Sequence, residues 1–131
     1  MTPDTTFQPD RVSTDPRGTL TVHRTRYPGD IEVLTVSGDL DLGTVRILEH
    51  QLWLETSPGL VLDLGGVMFL STAGIGCLLR AAERARAERR RFALVASTHS
   101  VSRVLRRLGV DTALPLYPGL CDAVRELSQV G

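Results

Sequence analysis

Apolar residues in this chain recur with two different periods, and the changes between them mark out the elements. Leu20, Val22, Arg24 and Arg26 alternate and fade into polar residues, which predicts a strand over 20–27 exposed on one side. Pro28-Gly29-Asp30 is a turn signal, and Ile31–Ser37 alternates again, so the two strands are expected to pair as an N-terminal hairpin. Gly38-Asp39-Leu40-Asp41 closes the second strand. Val45, Leu48 and Leu52 then repeat at helical spacing behind Asp41 or Thr44 as a cap. That helix is expected to run to about Glu55 and to stop at Ser57-Pro58-Gly59.

Leu60–Leu64 is a short apolar run of buried-strand type. Gly65-Gly66 breaks it and predicts a turn; Val67–Leu70 forms a second apolar knot, and Ser71-Thr72 stand just before a new helical pattern. In that pattern Ile75, Leu78, Leu79, Ala82 and Ala85 share one stripe, while Arg80, Glu83, Arg84, Arg86 and Glu88 share the opposite face. Glu83 with Arg86, and Arg84 with Glu88, have ion-pair spacing, as on a solvated face. Phe92–Ala96 is a further strand. Behind Ser100 as cap, Val101, Val104, Leu105 and Leu108 make a third helical stripe, with Gly109 as its stop. Residues 113–117 read as an edge segment because Pro115 cannot donate to a central ladder, and Leu120, Ala123, Val124 and Leu127 make a closing helix.

The resulting order, β-β-α-β-α-β-α-β-α, predicts a single-domain α/β fold: an N-terminal hairpin, then alternating strands and helices, in a mixed sheet with helices packed on it. The expected core includes Leu62, Leu64, Phe69, Ile75, Leu78, Leu94, Val104, Leu105 and Leu108. Residues 1–18 mix Thr, Pro, Asp and Gly with neither period and are expected to form a disordered tail, leaving 19–131 as the domain.

Composition changes this picture little. The chain has 131 residues, 42% hydrophobic and 23% charged, enough for one core without staples. Its apolar runs are too short to span a bilayer, and its acidic start is unlike a signal peptide, so a cytoplasmic location is expected. Cys77 and Cys121 lie singly in apolar patterns and are expected to be buried, reduced thiols, with no metal site. The net charge is zero, but five Arg face ten acidic residues through Leu79, and ten Arg face five from Arg80 onward. Without interleaved aromatics this basic half is expected to be a solvated surface and not a nucleic-acid interface. His23, His50 and His99 belong to no nucleophile motif, and Asp39 with Asp41 supply only two of a metal's ligands, so neither an enzyme nor a cofactor is expected.

The hydroxyl pair remains the chemical focus. Ser71 and Thr72 occupy N-cap positions, and Ala73-Gly74 leave them sterically open. A plain cap is one reading; a phosphate acceptor is the other, since unpaired amides and the helix dipole both favour an anion there. P-loop and dinucleotide fingerprints are excluded: no Lys precedes the hydroxyl, and Leu79 stands where the last Gly would follow Gly74-Ile75-Gly76.

Gly38-Asp39-Leu40-Asp41, Leu60–Leu64, Phe69–Gly76 and Arg103–Asp111, taken in order, resemble a STAS domain of the anti-sigma factor antagonist family over roughly residues 18–128. The resemblance implies a bacterial regulator that binds an anti-sigma serine/threonine kinase, releases a sigma factor, and is switched off by phosphorylation until a protein phosphatase restores it. The family motif Asp-Ser-Ser/Thr-Gly-Leu-Gly, aligned through Gly74-Ile75-Gly76, implies Thr72 as acceptor. Ser71 takes the place of its Asp and is a competing acceptor; Ala73 replaces a second hydroxyl. Asp39, Asp41, Ser71, Ala73, Gly74 and Ile75 are the implied partner-facing residues. The alternative is an unphosphorylated STAS-type module that senses a small ligand or serves a larger complex.

Overall fold

The structure, a computed structural model, describes residues 11–54 and 56–129. Strands β1 (Arg11–Thr14), β2 (Leu20–Tyr27), β3 (Ile31–Leu40), β4 (Gly59–Leu70), β5 (Arg91–Val95) and β6 (Leu116–Tyr117) lie side by side in chain order in one sheet. The first three pair antiparallel, and β3 through β6 pair parallel. Helices α1 (Val45–Leu54), α2 (Thr72–Ala87) and α3 (His99–Arg107) make the crossovers between the parallel strands. A 3₁₀ turn at Asp111–Ala113 leads into β6, and α4 (Leu120–Ser128) follows it.

Because side chains alternate across a strand, the two faces of the sheet hold different sets. Leu34, Val36, Leu62, Leu64 and Leu94 face α1–α3 and pack with Leu48, Leu78 and Leu105. Ile31, Val33, Val61, Ala93 and Val95 face the other way, where Ala123 and Leu127 of α4 cover them. Apolar residues on both faces of β3 and β4 are what a sheet buried from both sides requires.

The α/β class and mixed sheet stand as the sequence predicts, but several local expectations change. The expected tail is too long. Residues 1–10 lie outside the described residues, whereas Arg11–Thr14 forms β1, paired with β2 from Val12 opposite His23 to Thr14 opposite Thr21. Asp15 holds the turn between them: its carboxylate accepts from the Leu20 amide at 2.7 Å, the Thr19 hydroxyl at 3.0 Å and the Arg17 amide at 3.2 Å. The first helix ends at Leu54; Glu55 lies outside the described residues.

Gly65-Gly66 is not a turn. β4 runs through it for 12 residues, and its pairing with β3 carries two irregularities. Thr35 and Ser37 face Asp63 and Gly66, and Gly38 and Asp39 face Val67 and Phe69, so β4 gains one residue at each step. Each bulge reverses the alternation. The core-facing residues of β4 are therefore Leu62, Leu64, Val67 and Leu70, with their spacing stretched from two to three at each bulge. Gly66 is required there, since a Cβ would lie 2.5 Å from the Ser37 Oγ and 3.0 Å from its Cβ. The second bulge turns Phe69 outward, against the expected burial.

Leu108, also expected in the core, is exposed because α3 ends one residue before it and Gly109, at φ 71°, redirects the chain. Leu105 is buried completely and Val104 partly. α3 begins after Thr98, not Ser100, and no side-chain cap bond is made there. Both cysteines are free; Cys77 is buried, but Cys121 is exposed because α4 packs through Ala123 and Leu127 instead.

Candidate functional site

The carboxyl ends of β3 and β4 bring two loops together. Leu40 is in register with Leu70, and the Ser71 amide donates to the Leu40 carbonyl at 3.0 Å, so the loop before α1 lies beside the start of α2. Gly74 permits this approach: a Cβ there would sit 2.9 Å from the Leu40 carbonyl oxygen and 2.8 Å from Leu70 Cδ1. Gly74 and Ile75, two of the implied partner-facing residues, are both buried and anchor α2 on the sheet.

Ser71 is the N-cap of α2, with extended backbone, and its carbonyl accepts from the Ile75 amide at 3.0 Å. Its hydroxyl accepts from the Gly74 amide at 3.4 Å, a long bond and a weak cap. Thr72, the first helical residue, is exposed, and its hydroxyl makes no hydrogen bond among the described residues. Among the described residues the Ser71 hydroxyl thus has one weak backbone partner and the Thr72 hydroxyl has none.

Arg17, Asp41, Leu42, Gly43, Ser71, Thr72 and Ala73 line an open hollow of about 560 Å³ at this end of the sheet. Asp41 is inside it but spoken for. Its Oδ1 accepts from the amides of Gly43 at 2.9 Å and Thr44 at 3.1 Å, and its carbonyl accepts from the Val45 amide at 2.8 Å, so it caps α1. The buried Thr44 hydroxyl donates to the Asp39 carbonyl at 2.7 Å and ties the same loop. Asp39 is opposite Phe69 in register and does not line the hollow.

Arg17 was not foreseen. It sits in the turn that Asp15 closes, and among the described residues its guanidinium has no carboxylate partner. Asp15-Pro16-Arg17-Gly18 carries the turn chemistry that would have signalled it, but only short apolar stretches flank it. Burial alone would raise the Asp15 carboxyl, yet the bonds from Leu20, Thr19 and Arg17 outweigh it and hold the group below its usual value. Three large apolar side chains stand at the same end of the sheet: Leu42 is 77% exposed, Met68 78% and Phe69 54%.

Elsewhere the chemistry is quiet. Burial, with a smaller contribution from Glu49, pushes the Cys77 thiol up to about 12, so it is protonated and unreactive at neutral pH. The expected pairs form on α2: Arg84 with Glu88 at 3.1 Å and Arg86 with Glu83 at 2.6 Å. Among the described residues no group of three His, Cys, Asp or Glu is placed to hold a metal, and no helix is long and apolar enough to cross a membrane.

The sheet order, the three crossover helices on one face and the hydroxyl pair at the second of them define a STAS-type α/β domain. Residues 23–118 match the family model described as Mlab, STAS domain, and the chain belongs to the STAS domain family. The anti-sigma-F factor antagonist RsfB of Mycobacterium tuberculosis is 29% identical over 97 residues, which cover 72% of this chain and 79% of that protein. The crystal structure of an anti-sigma factor antagonist from Mycobacterium paratuberculosis superposes with a TM-score of 0.77 at 30% identity, over 88% of this chain and 98% of that one. The Bacillus cell fate determinant SpoIIAA, solved in its phosphorylated form, shares the fold with a TM-score of 0.61 at 14% identity, over 81% of this chain and 98% of that one.

Proposed function

We propose that this protein is an anti-sigma factor antagonist whose hold on its partner is switched off by phosphorylation of Thr72. The observation that carries the reading is the contrast between neighbouring hydroxyls: Ser71 accepts from the Gly74 amide at the start of α2, while Thr72 is exposed in the open hollow and has no hydrogen bond among the described residues. The names of the mycobacterial relatives support the anti-sigma partner, and the phosphorylated SpoIIAA supports modification as a device available to this fold.

A phosphate on Thr72 would add roughly −1.5 to −2 charges at the first turn of α2. The unpaired amides there and the Arg17 guanidinium would hold it locally, so the domain need not unfold. At a docked partner the same charge is buried and unmatched; a penalty of about 3 kcal/mol weakens binding on the order of 100-fold. On this reading the chain performs no catalysis. An anti-sigma kinase adds the phosphate, a phosphatase removes it, and the exchange takes place in the cytoplasm.

The test is incubation of the purified chain with each candidate anti-sigma kinase of its organism and ATP, followed by mass spectrometry. Phosphate on Thr72, lost in Thr72→Ala and kept in Ser71→Ala, is the expected result. Phosphate retained in Thr72→Ala and lost in Ser71→Ala would move the acceptor to Ser71. No incorporation from any kinase would reject the phosphorylation switch.

A further inference from the structure

The turn between β1 and β2 is fixed both within itself and against the sheet. The Gly18 amide closes it onto the Asp15 carbonyl at 2.9 Å, and the buried Asp15 carboxylate accepts from Arg17, Thr19 and Leu20. Beyond the turn, the Asp39 amide of β3 donates to the Thr19 carbonyl at 2.8 Å. Gly38, at φ 102°, makes room for that approach, since any Cβ there would overlap the same carbonyl oxygen. The next residue of β3, Leu40, accepts from the Ser71 amide. Two consecutive residues of one strand end thus place the turn that carries Arg17 and the helix start that carries Thr72. Both residues line one hollow, in which Arg17 and Asp41 are the charged members. Asp41 is occupied by the amides of its own loop, and Arg17 has no carboxylate partner among the described residues. The three Arg of α2 differ in this respect: Arg80, Arg84 and Arg86 each pair with a Glu.

We infer that Arg17 is the receptor for a phosphoryl group on Thr72 and sets how long the modified state lasts. The inference rests on the function proposed above and assigns the regulation of its off state. A guanidinium presents a planar fork of donors, and a phosphothreonine dianion supplies the matching pair of oxygens. Because the turn is already held by Asp15 and Gly38, the pairing orders a side chain and not a loop, which lowers its entropic cost. The same contact offsets the charge that Asp41 contributes to the hollow. Dephosphorylation adds water across the bond between phosphorus and the Thr72 Oγ1, returning the hydroxyl and inorganic phosphate. A phosphatase needs those phosphoryl oxygens for itself, so Arg17 must release them first and the hydrolysis is slowed.

The test uses the full chain with phosphothreonine installed at position 72 during translation, so that no kinase is needed. Wild type is compared with Arg17→Gln, Arg17→Lys and, as an exposed control on α3, Arg103→Gln. A guanidinium beside the phosphate favours the dianion, so phosphorus NMR should place its second ionisation roughly half a pH unit lower in wild type and Arg103→Gln than in Arg17→Gln. Arg17→Lys, which keeps the charge but loses the fork, should fall in between. A broad-specificity protein phosphatase should release phosphate several-fold faster from Arg17→Gln than from wild type. Arg17 is exposed, so thermal unfolding of the unmodified variants should match wild type, and Arg17→Lys keeps the comparison valid if Arg17→Gln does not. Equal midpoints in wild type and Arg17→Gln would overturn this inference alone and leave Thr72 as the acceptor. A shifted midpoint with equal release rates would keep the receptor and overturn its control of the lifetime. Failure of every anti-sigma kinase to modify Thr72 would instead remove the reading on which the inference rests.

Discussion

Adjacent residues of similar chemistry have quite different duties in this domain, and burial and bonding separate them. Asp41, offered by the sequence as a cap and by the resemblance as a partner-facing acid, caps α1, and Gly74 of the resemblance motif is the point where α2 presses on β3. Asp15, unnoticed in the sequence, organises the turn that delivers Arg17 to the hollow. Its folded-state carboxyl is held below the ordinary aspartate range, so the ionised form is the stabilising one. That contribution is present above about pH 4 and is lost as the pH falls through the lower folded value. Amide exchange at Leu20 should therefore accelerate relative to the core strands in acid, and Asp15→Ala should show the faster exchange already at neutral pH. Equal Leu20 protection in Asp15→Ala and wild type would show that the turn holds without its carboxylate.

At the scale of elements, β4 carries both the organisation and the surprise. Gly66→Ala places a Cβ against Ser37 and should destabilise the domain by about 1–3 kcal/mol, read from chemical unfolding. Ser37→Gly in the same background should recover part of that loss, because it removes the clashing Oγ and Cβ; additive losses would refute the contact. α3 gives a simpler contrast. Leu105→Ala should cost about 3 kcal/mol, whereas Leu108→Ala should change stability by less than about 0.5 kcal/mol. The helical stripes were legible in the sequence because Ile75, Leu78, Val101 and Leu105 report a strict geometric period. The β4 bulges were not, since a Gly-Gly pair inside a strand and a Gly-Gly turn look alike until the partner strand is in place. Phe69 was misplaced for that reason, and Leu108 because a stripe continues in sequence after the helix itself has stopped. β1 was missed because four residues bounded by turn formers carry too little pattern to be told from a tail. The hydroxyl pair is legible as a helix start; the different bonding and exposure of its two members depend on how α2 meets the sheet.

As a whole molecule, the domain is a sheet sealed on one face by three helices and on the other by one, with its parallel strand ends left to function. Much of the basic second half is spent on its own surface: Arg80 pairs with Glu49 at 2.7 Å, Arg84 lies over Trp53 at 5.1 Å, and the α2 pairs use up two more carboxylates. Thr72 and Arg17, which has no carboxylate partner among the described residues, line instead the hollow at the carboxyl ends of β3 and β4. The most direct measurement of the switch is the affinity of the anti-sigma factor for four forms of the chain: unmodified, phosphorylated, Thr72→Ala and Thr72→Glu. Unmodified protein and Thr72→Ala should bind alike, the phosphorylated form on the order of 100-fold more weakly, and Thr72→Glu in between, since one carboxylate carries less charge than a phosphate. Equal affinity of the phosphorylated and unmodified forms would contradict the switch.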